Sequence, residues 1–449
     1  NQIKGEIGEY HARFQKTGVA VNFYYLEYNE STKSYEYKVY DGGKYTQYLN
    51  KYDSAKKPTD DSKKVKTWYT SPTNLGADTA FDFNQTLSKS IDLYAAPAFT
   101  FNYLNQFQFA EPWRMITYAT LKYDGKYIDM KTDPDVTDYK VYILKAKSVN
   151  DQQPTSAEIK ANPNKVVVSK DEQGIMFDGT TGVGAKFNRI GTKYNILHIF
   201  DMKTPVWVTF EFTYRGITYT ANVKNRSLYN NIDMYMASGN PYYTEYREQQ
   251  KDVLDAIKAM YNATAPYGIK EPTPYHSSAS VSDDVKNSVK TPDKGYTFNS
   301  STTIRNIEPW GFKYSFSVND TALSEYDDYG VVVLSDYEQA PANASELVNN
   351  EKAVMYSKSG NNIYGVDDDA NTAAAYHVNG ITIANYDKNT YAVFFVKDSN
   401  GYHYSPVISN SYKEIAENDT SDSSAVSKAI LDYAQKYNEY VDAISKKNN

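Results

Sequence analysis

Trp207-Val208-Thr209-Phe210-Glu211-Phe212-Thr213-Tyr214 alternates in character and is followed by Arg215-Gly216 and Ile217-Thr218-Tyr219-Thr220-Ala221-Asn222-Val223. Successive side chains of a strand point to opposite faces. Val208, Phe210, Phe212 and Tyr214 therefore share one face, and Trp207, Thr209, Glu211 and Thr213 share the other. The pattern predicts a half-buried strand that turns at Gly216 into a partner strand. This stretch decides the fold because it occurs twice. Val393 to Ile408 repeats the arrangement around Ser399-Asn400-Gly401, where Asn-Gly is a strong hairpin signal.

Other landmarks recur in the same order on either side of the hairpin. Glu111-Pro112-Trp113 returns as Glu308-Pro309-Trp310, and Tyr139 to Leu144 returns as Tyr329 to Leu334. Ala157-Glu158-Ile159 matches Ser345-Glu346-Leu347, and a helical pattern around Ala256-Ile257 matches one around Ala429-Ile430. The spacing between partners shrinks along the chain and never reverses, as expected of two copies of one module with different loop lengths. The fold class expected is mainly β, with tandem β-sandwich (Ig-like) modules each closed by a C-terminal amphipathic helix. In the second copy Val426, Ile430, Tyr433, Tyr437, Val441 and Ile444 form the apolar stripe of that helix. Val253, Ile257 and Tyr261 give a shorter stripe in the first. Each helix is expected to pack on its own module or on the linker.

The organisation predicted is an N-terminal β-rich section over 1–78, a first module with its helix over 79–268, a linker over 269–294 and a second module with its helix over 295–449. The linker is marked by Pro272, Pro274, Ser277, Ser278 and Pro292. In the N-terminal section Val19 to Leu26 and Ser34 to Tyr40 read as two strands joined by a polar turn.

Composition narrows the function classes. Without cysteine there is no disulfide framework, thiolate metal site or cysteine nucleophile. A net charge of -7 argues against nucleic acid, which requires clustered Lys and Arg to neutralise phosphates. No window reaches the ~20 apolar residues of a membrane-spanning helix. The 45 tyrosines against 18 phenylalanines suit half-buried sheet faces and wet contacts, because tyrosine joins an apolar ring to a polar tip. Together with an Asn at position 1, these features lead to the expectation of a secreted, extracellular or cell-surface bacterial protein.

The second copy carries Tyr329-Gly330-Val331-Val332-Val333, Ala344-Ser345-Glu346-Leu347, the hairpin Tyr391 to Tyr404 and the helix over 424–444. In this order they resemble the tandem β-sandwich modules of secreted surface proteins from anaerobic gut bacteria of the clostridial type. His403 stands where that pattern has another aromatic, and the first copy is a divergent version with Arg215-Gly216 at its turn. The resemblance implies an extracytoplasmic module and carries no catalytic residues.

A search for chemistry finds little. His11, His198, His276, His377 and His403 are scattered, without metal-ligand spacing. No nucleophile elbow, phosphate-binding loop or dinucleotide motif is present. The expectation is therefore no enzyme, no catalytic residues and no resident metal. Asp133-Pro134-Asp135-Val136-Thr137-Asp138 fails as a calcium loop because position 12 is Leu144. Gly365-Val366-Asp367-Asp368-Asp369-Ala370-Asn371 leaves calcium open, although three adjacent carboxylates more often mark a solvated turn. Trp113 and Trp310 share a landmark and read as core.

The candidate subunit-interface or glycan-contact residues are Trp68, Tyr69, Tyr242, Tyr243 and Tyr246, with packing as the plainer account of each. Two functions fit. One is an extracellular structural protein, a self-assembling subunit of a bacterial surface filament or surface layer. The other is a cell-surface adhesin or glycan-binding protein whose partner is polysaccharide. Assembly is favoured slightly because the loop enlargements differ between copies, and an interface that propagates needs two different complementary patches. The N-terminal section and the 229–250 stretch are the unrepeated regions that can supply them.

Overall fold

The computed structural model describes residues 18–40, 46–58, 65–108, 114–172, 175–188, 202–237, 245–267, 278–288, 294–305, 311–335, 339–360, 365–366, 373–379 and 383–448. The chain is mainly β. It divides into two compact units, whose described residues end at Ala237 in the first and begin at Glu245 in the second.

The first unit opens with β1 (Val19–Asn29), whose alternation puts Val19, Val21, Phe23 and Tyr25 on one face. β2 (Ser34–Val39) and β3 (Thr46–Leu49) both run antiparallel to β1. β2 pairs with Tyr24 to Asn29, and β3 with Val19 to Asn22. The chain then passes through β4 (Asn74–Gly76) and returns as β5 (Ile91–Ala95), which pairs with β1 in parallel. The core face of β1 is covered by Tyr40, Ala55, Trp68, Phe81, Leu87 and Leu93.

A sandwich follows. One sheet has the order β11-β12-β7-β6, built from β6 (Phe99–Gln108), β7 (Arg114–Tyr123), β11 (Ile175–Asp178) and β12 (Gly182–Asn188), with β8 (Lys126–Tyr127) on β7. The other has the order β10-β9-β13-β14-β4, from β9 (Val136–Lys145), β10 (Val166–Ser169), β13 (Val206–Tyr214) and β14 (Ile217–Thr220), with β15 (Lys224–Asn225) on β13. Aromatic rings fill the space between the sheets. Phe101 lies 5.8 Å from Phe212, Phe99 lies 4.7 Å from Tyr219 and Tyr123 lies 5.4 Å from Tyr214. Such pairs add about 0.5–1.5 kcal/mol each beyond their buried area.

The opening hairpin forms as its alternation predicts, with Tyr214 paired to Ile217 around a two-residue loop. Arg215 and Gly216 both take positive φ, 53° and 76°, the geometry that matches the twist of a short hairpin. Arg215 is held there by Asp135 at 2.9 Å and Glu30 at 2.8 Å, with its guanidinium over the Tyr28 ring. The strand is more buried than its alternation predicts, since Trp207 and Thr209 on the outer face are also covered. The cover is α1 (Ser156–Ala161), started by a capping box between Thr155 and Glu158, whose Ile159 packs with Leu144, Ala146 and Trp207. α2 (Leu228–Met236), capped by Ser227, ends the unit.

The second unit repeats the central strand order of both sheets of this sandwich. β17 (Phe298–Arg305), β18 (Gly311–Val318), β22 (Ala373–Asn379) and β21 (Gly365–Val366) form one sheet in that order. The other runs β16 (Ala279–Ser280), β20 (Val354–Ser357), β19 (Asp328–Leu334), β23 (Asn389–Asp398), β24 (Gly401–Tyr404), with β25 (Ile408–Ser411) on β23. Phe316 meets Phe394 at 4.8 Å between the sheets, and the Tyr376 hydroxyl donates to the Tyr329 carbonyl at 3.0 Å. In this hairpin Asp398 pairs with Gly401, so the loop residues are Ser399 and Asn400 and the positive φ, 117°, falls on Gly401. The two copies extend their larger sheets at opposite edges, the first with β4 beside β14 and the second with β16 beside β20.

Two assignments need correction. Arg247–Thr264, expected to close the first module, is α3 of the second unit. It packs along the C-terminal helix Ser424–Asn448, with Gln250 Nε2 donating to the Tyr440 hydroxyl at 3.4 Å. Each helix has one apolar stripe, and the two stripes bury one another: Val253, Leu254, Ile257 and Met260 are covered in one, and Val426, Ile430, Tyr433 and Ala434 in the other. The 269–294 stretch is also more than a linker. Its described part forms β16 and α4 (Asp283–Ser288), and Val281 and Val285 belong to the second unit's core. Among the described residues the remaining α-helices of that unit are α5 (Ala344–Asn349), α6 (Tyr412–Asn418) and α7, the C-terminal helix.

Candidate functional site

Of the two accounts of Trp68, the structure takes the plainer one: it is a core residue and not an exposed contact. It is 1% exposed, with Phe23 edge-on at 4.9 Å and Tyr40 edge-on at 5.1 Å. It sits beside a polar loop in sequence, but it packs in one core with Tyr40, Ala55, Phe81 and Leu87 against the odd-numbered face of β1. Tyr69 is 8% exposed and joins β5 through an isolated bridge, with reciprocal backbone hydrogen bonds to Tyr94 at 2.8 Å. Burial pushes its hydroxyl up to about 12. Tyr246 begins α3 at a positive φ of 56° and meets Tyr440 edge-on at 6.5 Å, so it contributes to helix packing. Tyr242 and Tyr243 lie outside the described residues, as do Trp113, Trp310 and Asp367 to Asp369, the centre of the calcium expectation. In the rest of the 229–250 stretch Tyr235 is buried and Tyr229 lies under Lys203.

The exposed aromatics lie elsewhere. Among the described residues Tyr127, Val149 and Tyr267 are also exposed, while Tyr37 at 54%, Val39 at 56%, Tyr48 at 74% and Tyr52 at 63% all fall in the unrepeated N-terminal section. The register explains three of them. Tyr48 stands opposite Ala20, Val39 opposite Tyr24 and Tyr37 opposite Leu26. All three therefore share the face of the sheet turned away from the Phe23 and Trp68 core. Tyr24 and Tyr94 join them, with their rings 5.6 Å apart and Tyr37 edge-on to Tyr94 at 5.9 Å. A strip of aromatic and branched side chains thus lies on the outer face, running from β5 across β1 to β2 and β3. Lys38 and Glu36, opposite Tyr25 and Glu27, fall on the other face of the sheet, where Lys38 pairs with both Glu27 and Glu36. The signal was present in the alternation of Tyr35, Tyr37 and Val39, but sequence does not say which face of β1 is the core.

A second surface is a groove of about 360 Å³ in the first unit, lined by Tyr69, Phe99, Phe101, Tyr103, Asn222 and Lys224 among others. Phe99, Phe101 and Tyr103 are alternate residues of β6, the last strand of its sheet, and each is half-buried. Lys224 Nζ sits 4.7 Å from the Tyr103 ring centre and Arg226 lies 5.7 Å from it. Burial lowers Arg226 to about 10, and burial pushes Tyr103 up to about 12. The second unit has a cavity of about 530 Å³ beside β17, the counterpart of β6, but Thr302, Asn410, Glu414, Asn418 and Asp419 line it without an aromatic ring. The two copies have diverged at equivalent edges.

His403 is part of a local clamp. Its Nε2 is 3.0 Å from Asp398 Oδ1, its ring stacks on Tyr296 at 3.6 Å, and the Tyr296 hydroxyl donates to Asp398 Oδ2 at 2.5 Å. The Tyr296 hydrogen bond leads the contributions that hold Asp398 at about 2. Among the described residues no group of three His, Asp or Glu is arranged to hold a metal ion, and no helix is long and apolar enough to cross a membrane.

No family model and no curated protein matches the chain. Among solved structures it is matched to the outer membrane decaheme cytochrome OmcA, at 9% identity over 70% of this chain and 69% of that one, with a TM-score of 0.18. A likeness at that score carries no argument about fold or function.

Proposed function

We propose that the chain is an extracellular structural protein, a subunit that assembles with copies of itself into a surface filament or layer. The observation that carries this reading is the outer face of the N-terminal sheet. Tyr24, Tyr37, Val39, Tyr48 and Tyr94 form an aromatic strip outside the duplicated plan, where a monomer would ordinarily place polar residues. Tyrosine supplies contact area at low entropic cost and is enriched in interface cores. Among the described residues the strip occurs once, and its contact with a different patch on the next copy is heterologous, the kind that propagates when its rotation does not close a ring. The test is light scattering of the whole chain against concentration, for wild type and for the triple variant Tyr37→Ser, Val39→Ser, Tyr48→Ser. Growth in wild type and its loss in a variant with unchanged circular dichroism is the expected result.

The aromatic groove of the first unit favours a second reading, glycan binding. Phe101, Tyr103 and Lys224 combine ring faces with a cation and could take a short run of sugars. Strictly monomeric wild-type protein, with polysaccharide retention lost in Tyr103→Ala, would transfer the argument to that reading.

A further inference from the structure

Three charged side chains converge on the outer face of the first unit's larger sheet, beneath α1. Lys160 comes from α1, Glu211 from the middle of β13 and Asp78 from the turn after β4. Lys160 Nζ lies 2.8 Å from Glu211 Oε2 and is ion-paired with Asp78. The Ser156 hydroxyl donates to Asp78 Oδ1, and the Tyr142 hydroxyl donates to Glu211 Oε1 at 3.4 Å. The three charged side chains retain 20%, 16% and 8% exposure for Lys160, Glu211 and Asp78. Asp78 Oδ2 is buried and is the oxygen that faces the Lys160 ammonium.

The second unit shows what this position requires for packing alone. The strand registers pair Leu144 with Trp207 and Leu334 with Tyr391, which makes Tyr142 and Glu211 the counterparts of Val332 and Phe395. Counting from the caps Thr155 and Asn343, Lys160 corresponds to Val348. Val332, Phe395 and Val348 lie in one apolar cluster. Apolar residues of similar volume often serve stability as well as a buried ion cluster or better, because ions lose hydration when buried. A lysine between two carboxylates in one copy, where its sibling has a plain core, calls for a chemical reason.

We infer that Lys160 and Asp78 join in an intramolecular amide bond, with Glu211 as the proton relay. The parts form as ions: burial opposes the Lys160 ammonium, but Asp78 and Glu211 outweigh it and raise its proton affinity. A proton passes from the ammonium to the Asp78 carboxylate, giving an amine and a carboxylic acid at unchanged net charge. The amine lone pair attacks Cγ of Asp78 and the nitrogen's surplus proton moves to Glu211. Cγ re-forms its carbonyl and expels the hydroxyl, which takes the proton back from Glu211 and leaves as water. Lysine and aspartate become an amide plus one water, and Glu211 ends as it began. No oxidant or activating group is needed, because the fixed strands and capped helix hold nitrogen and carboxyl together at high effective concentration. Ser156 steadies the carboxyl oxygen, and Tyr142 is a positioning residue for Glu211. The bond would staple the N-terminal connection to the first sandwich.

Intact mass spectrometry of the whole chain tests this. The expected wild-type mass is one water below the sequence mass, with a branched tryptic peptide in which Lys160 resists cleavage and carries the segment containing Asp78. Glu211→Gln and Lys160→Arg should show the full mass while retaining wild-type circular dichroism. Asp78→Asn should lose ammonia in place of water, which identifies residue 78 as the acyl partner even if another variant folds poorly. A wild-type chain of full mass, or a branched peptide joining other residues, overturns the bond. Complete water loss in Glu211→Gln overturns the role given to Glu211.

Discussion

Replacing Trp68 with alanine separates a core residue from a ligand platform. At 1% exposure the indole has given up nearly all of its surface. A tryptophan buries up to ~250 Å². At ~25 cal/mol per Å² that is about 6 kcal/mol as an upper bound. Alanine keeps part of this, and the Phe23 and Tyr40 rings that met the indole edge-on at 4.9 and 5.1 Å collapse only partly into the space. Large-to-small changes of this kind cost ~3–5 kcal/mol, so about 4 kcal/mol is expected. The assay is native-state hydrogen exchange on β1 and β5, with β19 and β23 of the second unit as internal control. A loss of about 4 kcal/mol accelerates exchange in β1 and β5 by roughly three decades, while the control strands are unaffected. Unchanged protection in β1, or loss of polysaccharide retention with protection intact, would refute the core assignment.

Two further perturbations follow from the packing. Burial raises Tyr69 and Tyr103 from 10.0 to about 12, so the folded state favours their neutral forms. Their contribution is fully present below pH 10 and is lost as pH rises toward about 12. The alkaline unfolding midpoint, followed by circular dichroism, should therefore move upward in a Tyr69→Phe, Tyr103→Phe double variant, and an unmoved midpoint would contradict the assignment. At Gly330 an added Cβ would lie 2.3 Å from the Tyr356 carbonyl oxygen and 2.6 Å from the Phe395 ring. Gly330→Ala should cost about 2 kcal/mol or more of the second unit's stability in denaturant unfolding, and a neutral result would show that the β19 and β20 pairing is looser than described.

Local patterning reads well in this sequence, and long-range placement does not. The β13–β14 and β23–β24 hairpins followed from alternation and turn residues that act over a few positions. The amphipathic stripe of Arg247–Thr264 announced a buried face but not its partner, which is a helix close to the end of the chain. The parallel pairings of β5 with β1 and β4 with β14 join segments distant in sequence, and nothing local marks them. Trp68 stayed a contact candidate beside its plainer core reading for the same reason: a polar neighbourhood in sequence says little about what packs on a side chain in the fold. Asp78, Lys160 and Glu211 meet only through those pairings, so no motif search could have gathered them. The exposed strip was half legible, since Tyr37, Val39 and Tyr48 are visibly strand residues whose facing depends on which side of β1 carries the core.

Negative-stain electron microscopy of the purified whole chain, at increasing concentration, tests the central claim most directly. Regular polymers or sheets with a constant subunit repeat, absent in the Tyr37→Ser, Val39→Ser, Tyr48→Ser variant, are the predicted result. Isolated particles at every concentration, indistinguishable between wild type and variant, would contradict it.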